Sequence, residues 1–204
     1  MMSKVKYIFG YGVKNMDNQS ILWFLSLAEK LKCNLRHSWT SSGRRESVAE
    51  HSWRLCIFSW LFRSHFPELD MNKVLLMCLF HDIGEAVTGD IPSFQKTNKH
   101  EDAETEAIDS ILNMLDPAMR NELSVLFKEM QEQNTKEARL FKALDKMEAV
   151  LQHNEAPLET WLPLEYELNL TYADENVKEF PVLESFRNEL REMTLELISS
   201  GETR

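Results

Sequence analysis

Apolar residues recur at three- and four-residue spacings along almost the whole chain, and period-two alternation is scarce, so the pattern predicts helices nearly throughout. A first helix is expected over 18–33, with Ile21, Leu25, Ala28 and Leu31 bounding its inner face. The polar stretch 36–45 reads as a loop. Ser47-Val48-Ala49-Glu50 then has the form of a capping box, in which Ser47 accepts from the Glu50 amide and Glu50 reaches back to Ser47. It opens a strongly apolar helix running to His65 and stopped by Pro67. Asp70 is expected to cap a third helix over 72–85, which ends before Gly89-Asp90-Ile91-Pro92. An acidic amphipathic helix follows over 99–115, and Asp116-Pro117, a cap with proline in the first turn, starts another that runs to Glu132. Thr135 precedes a long helix to Asn154, residues 161–172 carry no decisive period, and 182–198 closes the chain as a final helix.

These elements predict an all-α fold, a compact bundle of about seven helices. With no repeat or low-complexity segment, and only 6 Gly and 6 Pro to punctuate 204 residues, the expectation is a single domain over 1–204. A hydrophobic share of 43% is too high for a disordered chain and sufficient for a core. The net charge of -10 repels polyanions, which excludes a nucleic-acid polymer as partner. A small phosphorylated substrate stays open, because one metal ion and a few arginines invert a local potential. Residues 1–15 hold no apolar run of signal-peptide length, and no stretch reaches the roughly 18 apolar residues of a membrane span. Cys33, Cys56 and Cys78 are odd in number and lie among apolar residues, so they read as buried free thiols. Together these features place the chain in the cytoplasm, away from membranes. Trp23, Trp53 and Trp60 are expected in the core.

Three short segments carry candidate chemistry: Glu50-His51, His81-Asp82 and Asp145 within Ala143-Leu144-Asp145-Lys146. Each puts a potential ligand on a helix that is otherwise apolar. Buried imidazole and carboxylate groups need compensation for lost hydration, and a divalent cation supplies it. Two imidazoles and two carboxylates suit a borderline divalent ion with positions left for water. Glu85, one turn after His81, falls on the same helix face. Lys142 and Lys146 flank Asp145 on its helix, and Lys146, like His153 two turns further on, reads as lying outside the site. His65 reads as structural, and His100 and the Arg44-Arg45 pair as solvated.

The order His51, His81-Asp82, Asp145 resembles the signature of the HD-domain metal-dependent phosphohydrolases. The likeness extends through Glu46-Ser47-Val48-Ala49-Glu50-His51-Ser52 and His81-Asp82-Ile83-Gly84-Glu85-Ala86-Val87-Thr88-Gly89-Asp90-Ile91-Pro92 to the branch containing bacterial 5'-deoxynucleotidases, and covers about 36–154. It implies an HD-type helical bundle holding one divalent ion (Mn, Co, Zn, Fe, Ni or Mg) on His51, His81, Asp82 and Asp145. By the same resemblance Glu85 and Asp90 are the catalytic acidic residues near the attacking water. Arg36 and Trp39 are the substrate contacts, and a homodimer is expected. In the nucleotidases an aromatic residue often follows the arginine directly, whereas here His37 intervenes, which leaves base and sugar preference open.

The function implied is hydrolysis of (deoxy)nucleoside 5'-monophosphates to nucleoside and phosphate. A guanosine tetraphosphate-type pyrophosphohydrolase is the enzymatic alternative, but Ala86 stands after Glu85 where that group usually carries a second acid. Cyclic-dinucleotide phosphodiesterases need further histidines, and only His100 lies between Asp82 and Asp145. A metal- or nucleotide-binding module without turnover is the alternative from another class. The presence of Glu85 and Asp90 argues against it.

Overall fold

The structure, a computed structural model, describes residues 17–202. The reading of residues 1–15 lies outside them. Side-chain caps set most helix starts. Asp17 caps α1 (Asn18–Lys30), and the Ser47/Glu50 box closes as expected at the head of α2 (Val48–Phe62). Asp70 accepts from two amides at the start of α3 (Met71–Phe80). Thr97 and His100 form a second box at α5 (Asn98–Leu112), Asp116 caps α6 (Pro117–Glu132), and Thr135 caps α7 (Lys136–Glu155). Each such cap contributes about 1 kcal/mol by satisfying amides that the first turn leaves open. The remaining helices are α4 (Glu85–Thr88), α8 (Glu165–Thr171), α9 (Asp174–Val177) and α10 (Pro181–Glu202). The architecture is an all-α bundle with one small hairpin. No helix among the described residues is long and apolar enough to cross a membrane.

The bundle is built around α7, which packs against α2, α3, α6, α9 and α10. Leu140, Leu144 and Met147 of α7 are fully enclosed with Leu55 of α2, Val74 and Met77 of α3, and Leu183 and Leu190 of α10. Burying each such side chain stabilises the fold by roughly 1.5–3 kcal/mol. The result is a rigid frame for the polar groups that α2, α3 and α7 carry at their facing ends.

Several expectations need correction. Residues 36–45 form a hairpin: β1 (Leu35–Trp39) pairs antiparallel with β2 (Arg45–Ser47) across a turn at Gly43, whose φ is +78°. Its inward side chains, Ser38 and Glu46, are polar, so no hydrophobic alternation marked the strands. The third helix stops at Phe80 rather than continuing to Glu85. Gly84 separates it from α4, and a Cβ there would stand 3.1 Å from Ile108 Cγ1 and 3.3 Å from Glu104 Cγ of α5. On α1 the buried face is Leu27 and Leu31, with Trp23 and Phe24 partly buried beside them; Ile21 and Leu25 are exposed. Trp53 and Trp60 are exposed and Trp23 is half-buried, so none is a core residue. Of the cysteines only Cys78 is buried, while Cys33 is exposed; all three are free thiols.

Candidate active site

His51 lies in the second turn of α2, where the capping box fixes the helix entry. His81 is the C-cap of α3, with Asp82 directly after it, and Asp145 projects from the middle of α7. These four side chains converge. His51 Nε2 stands 3.2 Å from Asp145 Oδ1 and 3.3 Å from His81 Nε2, and His81 Nε2 stands 3.0 Å from Asp82 Oδ2. Asp82 Oδ2 is 3.9 Å from His51 Nε2, and Asp145 Oδ1 is 3.8 Å from His81 Nε2.

The outer nitrogens define the protonation. His81 Nδ1 donates to the Cys78 carbonyl at 3.0 Å, and His51 Nδ1 donates to Glu148. In the neutral rings both Nε2 atoms therefore turn lone pairs toward each other and toward two carboxylates. Such a knot of electron pairs fits a divalent cation, and the outer bonds that hold each ring in one tautomer are those that orient metal-binding histidines. With protein groups alone, burial and Arg36 press the His51 pKa down, but Glu148 and Asp145 outweigh them and raise it to about 9. Burial pushes Asp82 up, yet His81 and His51 hold it below the ordinary carboxylate range. Asp145 is likewise held low, against burial, by Lys142 and His51. The carboxylates thus stay ionised in a buried place, where a cation is the natural complement.

A cavity beside this cluster gathers the other candidate residues. Arg36, Asp82, Glu85 and Asp90 line one part of it, and Lys96, Lys142, Asp145 and Lys146 another. Glu85 is buried, its Oε2 has no hydrogen-bond partner, and its Oε1 is 4.0 Å from Lys96 Nζ. Burial and the charges of Asp82 and Asp90 raise its pKa to about 10. Burial raises Asp90 also, against the pull of Arg36. Arg36 Nη1 pairs with Glu46 Oε2 at 2.8 Å and lies 3.7 Å from Glu148 Oε2. Lys142 Nζ is 2.8 Å from Asp145 Oδ2, and Lys146 Nζ reaches Asn176 Oδ1 at 2.9 Å.

Of the eight residues singled out from sequence, Trp39 alone lies apart from the cluster and its cavity. Its ring sits 5.8 Å from the Arg45 guanidinium, its carbonyl accepts from Gln152, and it is His37 that lines the cavity from β1. Sequence reasoning missed Glu148, which is fully buried and accepts from both His51 and Arg54. Its position three residues after Asp145, in phase on the same apolar helix, was the available signal. It also missed Glu165 and Asn169, which flank His153 from α8.

A family model described as HD domain matches residues 28–184. The chain belongs to the HD-domain family. Two relatives extend that result. The human 5'-deoxynucleotidase HDDC2 is 32% identical over 142 residues, covering 67% of this chain and 68% of that protein. The 5'-deoxynucleotidase hdd1 of Schizosaccharomyces pombe is 32% identical over 141 residues, covering 65% and 70%. A crystal structure from Magnetospirillum magnetotacticum MS-1, described as a predicted metal-dependent phosphohydrolase, superposes with a TM-score of 0.74 at 26% identity, covering 88% of this chain and 93% of that one. This HD-domain protein is a metal-dependent phosphohydrolase related to the 5'-deoxynucleotidases, and its cofactor is one divalent ion.

Proposed function

We propose that the protein hydrolyses (deoxy)nucleoside 5'-monophosphates to nucleoside and inorganic phosphate, as one domain spanning 1–204. The observation that carries this is the charge pattern of the cavity: four cations, Arg36, Lys96, Lys142 and Lys146, match the four acids Asp82, Glu85, Asp90 and Asp145 there, so one divalent ion would make it positive in a chain whose net charge is -10. Cations so placed oppose the overall field and suit a compact dianion such as a terminal phosphate. The 5'-deoxynucleotidase relatives support the nucleoside 5'-phosphate as its bearer.

In this reading His51, His81, Asp82 and Asp145 hold the divalent ion. Bound there, it would supply Lewis acidity toward a phosphoryl oxygen and lower the pKa of water. Arg36, with Lys142 and Lys146, holds the phosphate oxygens. Glu85 Oε2, unpartnered and facing the negative charge of Asp82 and Asp90, is the atom that accepts a proton from the attacking water once cationic charge offsets those neighbours. Asp90 orients that water. A bond forms from the water oxygen to phosphorus, the bond from phosphorus to the sugar O5' breaks, and O5' leaves with the proton that Glu85 took from the water, which restores Glu85. Trp39 contributes by holding β1 against α7, which sets the position of Arg36. The exposed apolar residues Ile21, Leu22 and Leu25 of α1 support a homodimer, and the free thiols support a cytoplasmic setting.

Phosphate release from a panel of ribo- and deoxynucleoside mono-, di- and triphosphates, each with and without chelator, tests the reading. Monophosphates should turn over fastest, and chelation should abolish release. Preference by kcat/KM for a triphosphate or for guanosine tetraphosphate would overturn it.

A further inference from the structure

Beside the same cavity, three residues that the proposed reaction does not use converge from three elements: His37 on β1 and His153 in the last turn of α7, which both line it, and Glu165 at the start of α8, which approaches both. We propose that His37, His153 and Glu165 form a second site for a borderline transition-metal dication such as zinc, separate from the cluster of His51, His81, Asp82 and Asp145.

Their donor atoms all lie within 4.8 Å of one another. His37 Nε2 is 2.6 Å from Glu165 Oε1, and His153 Nε2 is 3.4 Å from the same oxygen. Proton accounting shows what is missing. Asn169 Oδ1, which can only accept, lies 3.0 Å from His153 Nδ1, so the ring proton sits on Nδ1 and Nε2 presents a lone pair. That lone pair faces the Glu165 carboxylate, and among the described residues the Ser38 hydroxyl, at 3.4 Å, is the one donor to it. Burial disfavours the imidazolium of His153, which would otherwise relieve the opposition. Glu165 stays ionised despite burial, with His37 donating to Oε1 and the Leu162 amide to Oε2 at 2.7 Å. An imidazole nitrogen and a carboxylate oxygen therefore oppose each other in a buried place, and a cation converts that opposition into attraction.

The outer bonds needed to orient such ligands are already built, from Asn169 to His153 and from the Leu162 amide to Glu165. Two imidazole nitrogens and one carboxylate oxygen suit zinc, cobalt, nickel or ferrous iron, whereas magnesium and calcium favour oxygen alone. His37 and His153 line the cavity, which leaves space there for further ligands. Asn169 also lines it, and its buried Nδ2 has no partner, a donor left for a ligand oxygen. Binding takes the Nε2 lone pair of His37, so the proton that Nε2 donates to Glu165 moves to Nδ1 of the same ring. The inference does not rest on the proposed reaction, because its readout is metal content.

The test loads the full-length, metal-stripped protein with zinc alone and counts ions per chain after gel filtration, with circular dichroism to confirm folding. Wild type should retain two, His81→Ala one, His37→Ala one, and the double variant none. Glu165→Gln keeps the side-chain shape and should weaken the second ion by about 10-fold or more. In the His81→Ala background, zinc should shift the imidazole nitrogen resonances of His37 and His153. A wild type that holds one ion, lost in His81→Ala, would overturn the proposal. So would two ions undiminished in both His37→Ala and Glu165→Gln. If His37→Ala does not fold, Glu165→Gln and the resonance shifts decide.

Discussion

Glu85 follows Asp82 by three residues with one oxygen buried and unpartnered, in a cavity where most other polar atoms are matched. Leaving a buried carboxylate oxygen without a donor costs about 1–3 kcal/mol, a strain that persists where function uses it. Glu85→Gln keeps the shape and removes the base, so kcat should fall by about 100-fold or more while metal content stays near normal. Steady-state kinetics with the ion quantified in each sample checks this; an unchanged kcat at full occupancy would pass the role to Asp90. At this scale the sequence was legible wherever a polar residue interrupts an apolar helix face, as His51, His81, Asp82 and Asp145 do. Glu148 obeys the same rule, but it stands one turn from Asp145 on the same helix, where spacing does not separate a ligand from the acid that supports one. His37 and Glu165 were illegible for another reason. They sit in segments without helical period, so no face could be assigned to them before the chain was folded.

Helix ends account for much of what the elements do. The caps Ser47, Asp70, Asp116 and Thr135 were readable because each is a local bargain between a side chain and amides within three residues. The hairpin was not, because its inward groups are polar and answer to α7 and to the site rather than to an apolar sheet face. The C-terminal end of α8 was unreadable as well, being satisfied from across the fold. Arg187 Nε donates to the Tyr172 carbonyl at 2.7 Å and Nη2 to the Asn169 carbonyl at 2.8 Å, while Arg191 Nε reaches the Leu170 carbonyl at 2.9 Å. Arg187 is almost completely buried and pairs with Asp174 at 3.1 Å. Arg187→Met fills similar space but strands the Tyr172 and Asn169 carbonyls and leaves Asp174 to Arg191 alone, and should destabilise the protein by about 2–4 kcal/mol. Chemical denaturation would measure that loss, and a change within about 0.5 kcal/mol would show that α8 is held by its apolar contacts instead.

Across the whole molecule the net charge is negative, while in the cavity four cations match four acids, so the proposed phosphate site works by local geometry against the global field. The proposed ligands come from three helices that meet only in the finished bundle, and binding therefore selects the native state. An ion present at 100 times its Kd adds about 2.7 kcal/mol. For a chain of this size, chelation should lower Tm by roughly 5–10 °C. Most of that difference should vanish in His81→Ala; an identical Tm with and without chelator in wild type would sink the ligand set. Almost half the chain lies between His51 and Asp145. A shared ion acts across that span as a removable staple, and its release would be felt unevenly. Amides of α2, α3 and α7 should exchange with solvent together and faster once it is gone, while those of α1 and α6, which carry no ligand, keep their own slower or quicker clocks.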